Sequence, residues 1–288
     1  MRDSHDPPEA VFADAPWTAL PDAALGRAGE VPSMLTSRER RLYVWLATHW
    51  ARGAGAVVDL GCFVGGSTAC LAQGLALAGR DGPVHAYDRF SANEAAKEKF
   101  LYSSGVPPFE GSDTLALAQR LLAPWEGRVA LHRGDILDQH WTGEPIELLV
   151  VDIAKSTAIT DHVAAQFFGA LIPGRSVLVH QDYLHNVQPW LPVQMELLKD
   201  HFTPLAHLAP HSMCFLCTRA PDAEALKRAR TDTRDAGAML ELLDAARRRH
   251  ALPAADRAIG KMMENLRAHP GLRDAGALRR QLRRSASS

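Results

Sequence analysis

Four stretches of this 288-residue sequence place glycines or ionisable residues where an apolar run stops. "VVDLGCFVGGS" sets Asp59, Gly61, Gly65 and Ser67 in the spacing D-x-G-x-x-x-G-x-S, "AYDRF" reaches Asp88, and "LHRGDI" reaches Asp135. "ELLVVDIAKS" stops on Asp152 and places Lys155 three residues later. A charge closing a buried run is costly unless something uses it. Glycines allow a sharp turn and close approach to a ligand, and a helix start just after them offers free N–H groups. A carboxylate at Asp88 can accept both hydroxyls of a ribose, and one at Asp135 suits an adenine amino group. A fifth stretch, "VLVHQDYLHN", brings together His180, Gln181, Asp182, Tyr183 and His185. Such a set can hold an ion, or take a proton through an imidazole that titrates near neutral pH.

These residues act together only if strand ends converge. From "AVVDL" onward, short apolar runs alternate with helical stretches: "PVHAYD", "RVALHRGD", "IELLVVD" and "RSVLVHQD" are strand-like, and "STACLAQGLALAG", "AITDHVAAQFFGALI" and "WLPVQMELLKDHF" helix-like. That alternation predicts a mostly parallel sheet covered on both faces, with ligands at the carboxyl ends of the strands. "TPLAHLA" and "SMCFLCTRA" make seven strands in all, and the short "PHS" link between them predicts an antiparallel last strand. Before the sheet, "TSRERRLYVWLATHW" has Thr36 and Glu39 in capping-box spacing and Leu42, Trp45, Leu46 and His49 on one helical face.

The chain divides into a loose Pro-, Ala- and Asp-rich arm over 1–34, an α/β domain over 35–220 and a helical, Arg-rich extension over 221–288. The extension reads as a solvated appendage, with a homodimer surface or an added lid as the other assignments. The long insertion after the second strand, 87–113, has the length of a functional lid, and Trp190 could stack on a ring or sugar face.

Charge is nearly balanced, 32 Lys and Arg against 33 Asp and Glu, so no whole-protein field recruits nucleic acid or an anionic membrane. No apolar run approaches the roughly 20 residues of a membrane span, and the N-terminus lacks a basic-then-apolar signal. The expectation is a cytoplasmic protein whose partner is a small molecule. Cys62, Cys70, Cys214 and Cys217 make no disulfide framework. In a strand, Cys214 and Cys217 would point to opposite faces and serve packing.

The ordered combination "DLGCFVGGS", "AYD", "GDI" and "VVD" resembles the class I S-adenosylmethionine-dependent methyltransferases over roughly residues 35–220. The resemblance implies a Rossmann-like, doubly wound α/β fold with S-adenosylmethionine as cofactor. By analogy, Asp59, Gly61, Phe63, Gly65 and Ser67 would meet the methionine part, Asp88 and Arg89 the ribose side, and Asp135 with Ile136 the adenine. "DIAK" is similar to the cation-dependent O-methyltransferases of the catechol and caffeoyl-CoA type, in which the acid holds a divalent ion and the lysine takes the acceptor's proton. Here those residues would be Asp152 and Lys155.

A hydroxyl attacking a sulfonium methyl must lose its proton. Mg²⁺ on the oxygen, with a lysine shifted down by burial and by the ion, would make that loss easy at neutral pH. The metal set would be Asp152, Gln181 and Asp182, but "HQDY" departs from the Asp-Asn of the catechol type and the Asp-Asp-Tyr of the macrocin-type sugar enzymes. His180 would favour a softer ion than Mg²⁺. A metal-free route with His180 or His185 as base stays open beside it. The expected activity is methyl transfer to a hydroxyl of a sugar or phenolic natural product. Two other readings compete: a non-catalytic cofactor-binding partner or regulatory protein of the same fold, and a nicotinamide oxidoreductase, against which the glycine spacing argues.

Overall fold

In the computed structural model, which describes residues 7–286, each of the seven apolar runs is a strand. They form one mixed seven-stranded sheet in the order β3-β2-β1-β4-β5-β7-β6. The chain divides into two units, Met1–Val150 and Val151–Ser288.

The first unit begins with α1 (Pro8–Ala13) and α2 (Ser37–Trp45). Thr36 and Glu39 form the expected capping box, the Thr36 hydroxyl accepting the Glu39 N–H at 3.3 Å and the Glu39 carboxylate accepting the Thr36 N–H at 2.8 Å. Leu42, Trp45 and Leu46 are buried, whereas His49 is exposed against the Trp45 ring. The expected loose arm differs from the structure. Phe12 and Trp17 are buried, and Phe12 packs edge-on against Trp45 and Trp50 at 5.3 and 5.2 Å. Two large aromatics give that segment enough apolar surface to offset its ordering, which a count of Pro and Asp overlooks. Residues 1–6 of the expected arm lie outside the described residues.

Next come β1 (Ala56–Leu60), α3 (Gly66–Leu77), β2 (Val84–Asp88), α4 (Glu94–Ala96), α5 (Leu115–Leu122), β3 (Val129–Arg133) and β4 (Ile146–Val151), whose last residue opens the second unit. β1, β2 and β3 are parallel, with Leu60 opposite Tyr87 and Asp88 opposite Arg133. Glu147, fully buried, accepts the N–H groups of Arg52, Gly53 and Ala54 at 2.7–3.0 Å and so ties β4 to the turn before β1. The insertion after β2 is organised around another buried charge: Lys97 donates to the carbonyls of Phe109 and Gly111 at 2.8 and 2.9 Å and pairs with Glu94 at 2.6 Å.

The second unit holds α6 (Thr157–Phe167), β5 (Val177–His180), α7 (Trp190–Leu197), β6 (Phe202–Leu208) and β7 (Ser212–Cys217). β7 is antiparallel to both β5 and β6, as the short link predicts, and it inserts between them. Cys214 and Cys217 are buried and unbridged.

The chain ends in α8 (Ala223–Arg228), α9 (Ala236–His250), α10 (Pro253–Ala268) and α11 (Ala275–Ala286). These helices bury Met239, Leu243, Ile259, Met262, Leu266 and Leu278, unlike the solvated appendage expected. Asp161 on α6 accepts the N–H groups of Thr231 and Asp232, and Arg249 pairs with buried Glu196 at 2.7 Å. Their apolar positions recur at helical spacing among many arginines, so composition alone hides a packed face. The last two residues of the expected frayed end lie outside the described residues, and among those described no helix is long and apolar enough to cross a membrane.

Candidate functional site

Within the first unit, the chain runs β1 to β3 on one side of β1 and places β4 on the other, so the strand order reverses at β1. In open α/β sheets the ligand crevice lies at that reversal, outside the carboxyl ends of the strands. The residues after β1 form a tight turn with Gly61, Phe63 and Gly65 at φ +97°, +57° and +100°. Gly65 suits this position: φ +100° strains any other residue, and a Cβ there would sit 2.7 Å from Leu122 Cδ1, which would have to shift. Phe63 is not a glycine, and holding such a residue in the left-handed region costs about 1–3 kcal/mol and persists only where its surroundings enforce it.

Asp88 supplies the enforcement. Its Oδ2 accepts the Phe63 N–H at 2.8 Å and its Oδ1 accepts the Phe90 N–H at 2.7 Å, and Phe90 is also left-handed at φ +52°. One carboxylate at the end of β2 thus fixes two strained residues. Burial pushes its pKa up against the pull of these backbone donors. A carboxylate has about four acceptor positions, and with the Phe63 and Phe90 N–H groups bound and the Arg89 N–H also directed at it, Asp88 keeps room for a diol hydroxyl. The chain's residues fit the ribose of a nucleoside cofactor at this point.

The other expected cofactor residues have more structural duties. Asp59 is fully buried and its Oδ2 accepts the hydroxyls of Ser67 and Thr68 at 2.7 and 2.6 Å, binding the first turn of α3 to β1. Arg89 pairs with Asp135, whose Oδ1 also accepts the Leu137 N–H at 3.1 Å, and Ile136 points into the core. An adenine amino group would have to share Asp135 with Arg89.

In the second unit, Asp152 follows β4 and Asp182 follows β5, and Lys155 joins them. Its Nζ lies 2.6 Å from Asp152 Oδ1 and 2.5 Å from Asp182 Oδ2. Asp-x-x-Lys and "HQDY", 27 residues apart, therefore meet as one cluster. Burial works to lower the lysine's pKa, but the two carboxylates outweigh it and hold the ammonium above its ordinary value. Paired to two acids the lysine is held as an ammonium, whereas the expected downward shift supposed an ion's charge beside it. Asp182 is held below the carboxylate range: burial would raise it, and the Lys155 charge with hydrogen bonds from Lys155 and Gln188 prevails. Gln188, fully buried, donates to Asp182 Oδ2 at 2.6 Å. Sequence reasoning missed it, since nothing local marks a glutamine six residues past the acid.

The neighbouring expectations are corrected by direction. His180, the last residue of β5, faces the core against Phe168, Tyr183 and Phe215, and neither ring nitrogen has a hydrogen-bond partner among the described residues. Burial pushes its pKa down to about 3, so it stays neutral and neither reaches a proton nor ligates an ion. Gln181 is buried, its backbone N–H donating to the Val151 carbonyl at 3.0 Å and its backbone carbonyl accepting the Ser212 hydroxyl at 2.8 Å. Trp190 is fully buried and its indole N–H donates to the Ala154 carbonyl at 2.9 Å, supporting the Lys155 loop instead of an acceptor. Of the expected metal set, Asp152 and Asp182 converge on one point and Gln181 lies beside them. An ammonium already bridges the two acids, and no group of three metal-binding side chains occurs among the described residues.

Three solved structures are similar in fold. A SAH-bound Podospora anserina methyltransferase, PaMTH1, is 11% identical, covering 76% of this chain and 98% of that one at a TM-score of 0.46. The O-methyltransferase NovP is 14% identical, over 63% and 78%, at 0.45. The pyocyanin biosynthetic protein PhzM is 17% identical, over 65% and 60%, at 0.41. No protein-family model and no curated protein matches the chain. Likenesses this distant leave the chemistry to be read from the chain's own residues.

Proposed function

We propose that the chain is an S-adenosylmethionine-dependent O-methyltransferase acting on a hydroxyl of a small molecule, a sugar or a phenol. The observation that carries this reading is Asp88, a carboxylate at the end of β2 that fixes the strained glycine turn through Phe63 and retains acceptor positions for a ribose diol. The motif order "DLGCFVGGS", "AYD", "GDI", "VVD" supports the nucleoside as S-adenosylmethionine. When bound, that cofactor supplies an electrophilic sulfonium methyl.

The acceptor is assigned to the Asp152–Lys155–Asp182 cluster. A hydroxyl there would donate a hydrogen bond to Asp152 or Asp182, and that carboxylate would take the proton as the oxygen accepts the methyl and the sulfonium leaves as the neutral thioether, while the Lys155 ammonium stabilises the negative charge that grows on the oxygen. Lys155 acts as a fixed charge in this scheme, and no divalent ion is required. Most of the rate would come from positioning two reactants.

The test is transfer from methyl-labelled S-adenosylmethionine across a panel of phenols and sugars, read by mass spectrometry before and after verified chelation. The expected result is a labelled product whose yield chelation leaves unchanged. Cofactor binding with no product from any acceptor would favour the non-catalytic partner, and loss of product on chelation would restore the metal-dependent scheme.

A further inference from the structure

The helix α11 is fastened to the loop that carries Lys155. Ser156 and Asp274 form an isolated antiparallel bridge, the Ala275 N–H donates to the Lys155 carbonyl at 2.9 Å, and the Thr157 N–H donates to the Arg273 carbonyl at 3.1 Å. Ala275 and Leu278 are buried under this contact. One turn beyond Ala275, exposed Arg279 places its guanidinium 3.3 Å from His185 Nε2.

His185 belongs to the same cluster. Its backbone N–H donates to the Asp182 backbone carbonyl at 2.9 Å, and its imidazole feels the charges of Asp182 and Lys155. Burial chiefly pushes its imidazole down to about 4, so at neutral pH the ring is uncharged and, in the tautomer with its proton on Nδ1, Nε2 accepts from the guanidinium in preference to the longer 3.4 Å contact of the Val187 N–H with Nδ1. Among the described residues no carboxylate pairs with Arg279. A guanidinium has five donors in a planar fork, and one bond to His185 leaves the others for a ligand.

The charge count gives this arginine a use. Asp152 and Asp182 against Lys155 sum to −2 + 1 = −1, which disfavours any anion approaching the cluster. An acid can enter only if a further cation meets it. One guanidinium balances a monoanion and would leave a phosphate dianion under-compensated.

Building on the acceptor site assigned above, we propose that Arg279 binds a carboxylate of the acceptor, whose hydroxyl lies at the Lys155 cluster. The acceptor class is then a hydroxy acid, phenolic or sugar-derived.

The experiment is titration calorimetry of the full chain at pH 7.5 with 3,4-dihydroxybenzoate and with glucuronate, each against its methyl ester. For at least one pair the acid should bind about tenfold tighter than the ester. Arg279→Ala should remove that difference and Arg279→Lys should restore part of it. Equal binding of acid and ester in both pairs, no binding of either, or a difference that survives in Arg279→Ala and Arg279→Gln would each overturn the proposal. Acid-selective binding that depends on Arg279 upholds it even if no methyl is transferred, an outcome that counts against the methyltransferase reading alone. Transfer to neutral hydroxyls without acid selectivity counts against the arginine alone.

Discussion

The Phe63 N–H donates to Asp88 Oδ2 at 2.8 Å while Phe63 sits at φ +57°, so the acid that would hold a ribose also holds the turn before α3 in shape. Asp59 and Asp88, which look equivalent as acids on successive strands, therefore have different tasks. Asp59→Ala would leave two hydroxyls, of Ser67 and Thr68, without their shared acceptor in the core. It should cost about 2–3 kcal/mol of stability, seen as a lower urea midpoint. Asp88→Ala leaves the Phe63 and Phe90 N–H groups without their acceptor, so it too should cost about 1–3 kcal/mol, and it should weaken S-adenosylmethionine binding at least tenfold. Cofactor affinity unchanged in Asp88→Ala but lost in Asp59→Ala would contradict the division.

Gly65 offers a second test of the turn. Alanine there meets both a left-handed backbone at φ +100° and Leu122 Cδ1 at 2.7 Å, whereas Gly111, at φ +75°, has open space around it. Gly111→Ala should cost about 1–2 kcal/mol from backbone strain, and Gly65→Ala about 1–3 kcal/mol more from overpacking. Denaturant titration of the two variants separates the contributions; equal losses would mean that Leu122 yields without cost.

The state of Lys155 decides its chemistry. With its pKa raised, the ammonium's contribution is complete below the ordinary lysine value and is lost only as pH climbs through the raised one. It stays charged across pH 7–9. Lys155→Met should then lower the transfer rate 10²-fold or more with cofactor affinity intact, and Lys155→Arg should keep a substantial part of the rate. A rate equally abolished by arginine would mean that the lysine must give up its proton.

Acid should unfold this protein through its histidines. His180 has its pKa pushed from 6.5 to about 3 by burial, so the unfolded chain binds a proton that the folded one refuses, and stability falls as pH drops through 6.5. At pH 5.5 the loss is 1 pH unit, about 1.4 kcal/mol. Asp182, whose pKa is lowered, contributes above its ordinary value near 3.8 and adds nothing to this window. His180→Leu should be more stable than the parent by about 1 kcal/mol at pH 7.5, since it removes an unpartnered polar ring, and should show a weaker dependence between pH 7.5 and 5.5. A wider acid window in the variant would contradict the assignment.

Sequence spacing found the strands, the glycine turn and the acids, because strand ends in a parallel sheet converge whatever lies between them. It also found Asp152, Lys155 and Asp182. It failed where a one-residue change of direction matters. His180 and Asp182 are two apart in "HQDY", yet the first ends β5 facing Phe168 and Phe215, and the second leaves the strand to meet Lys155. Alternation along a strand fixes relative faces and does not say which face is core. Trp190 looked like a free stacking surface, and only tertiary contact shows its N–H committed to Ala154. Gln188 and Arg279 reach the cluster from 6 and 97 residues beyond Asp182, separations that no local pattern encodes.

The central claim is that the Asp88 turn holds S-adenosylmethionine, and titration calorimetry tests it most directly. S-adenosylmethionine and S-adenosylhomocysteine should each bind one to a chain, NAD should not, and Asp88→Ala should weaken both at least tenfold. Binding of neither S-adenosyl compound, or affinity unchanged in Asp88→Ala, would contradict the account.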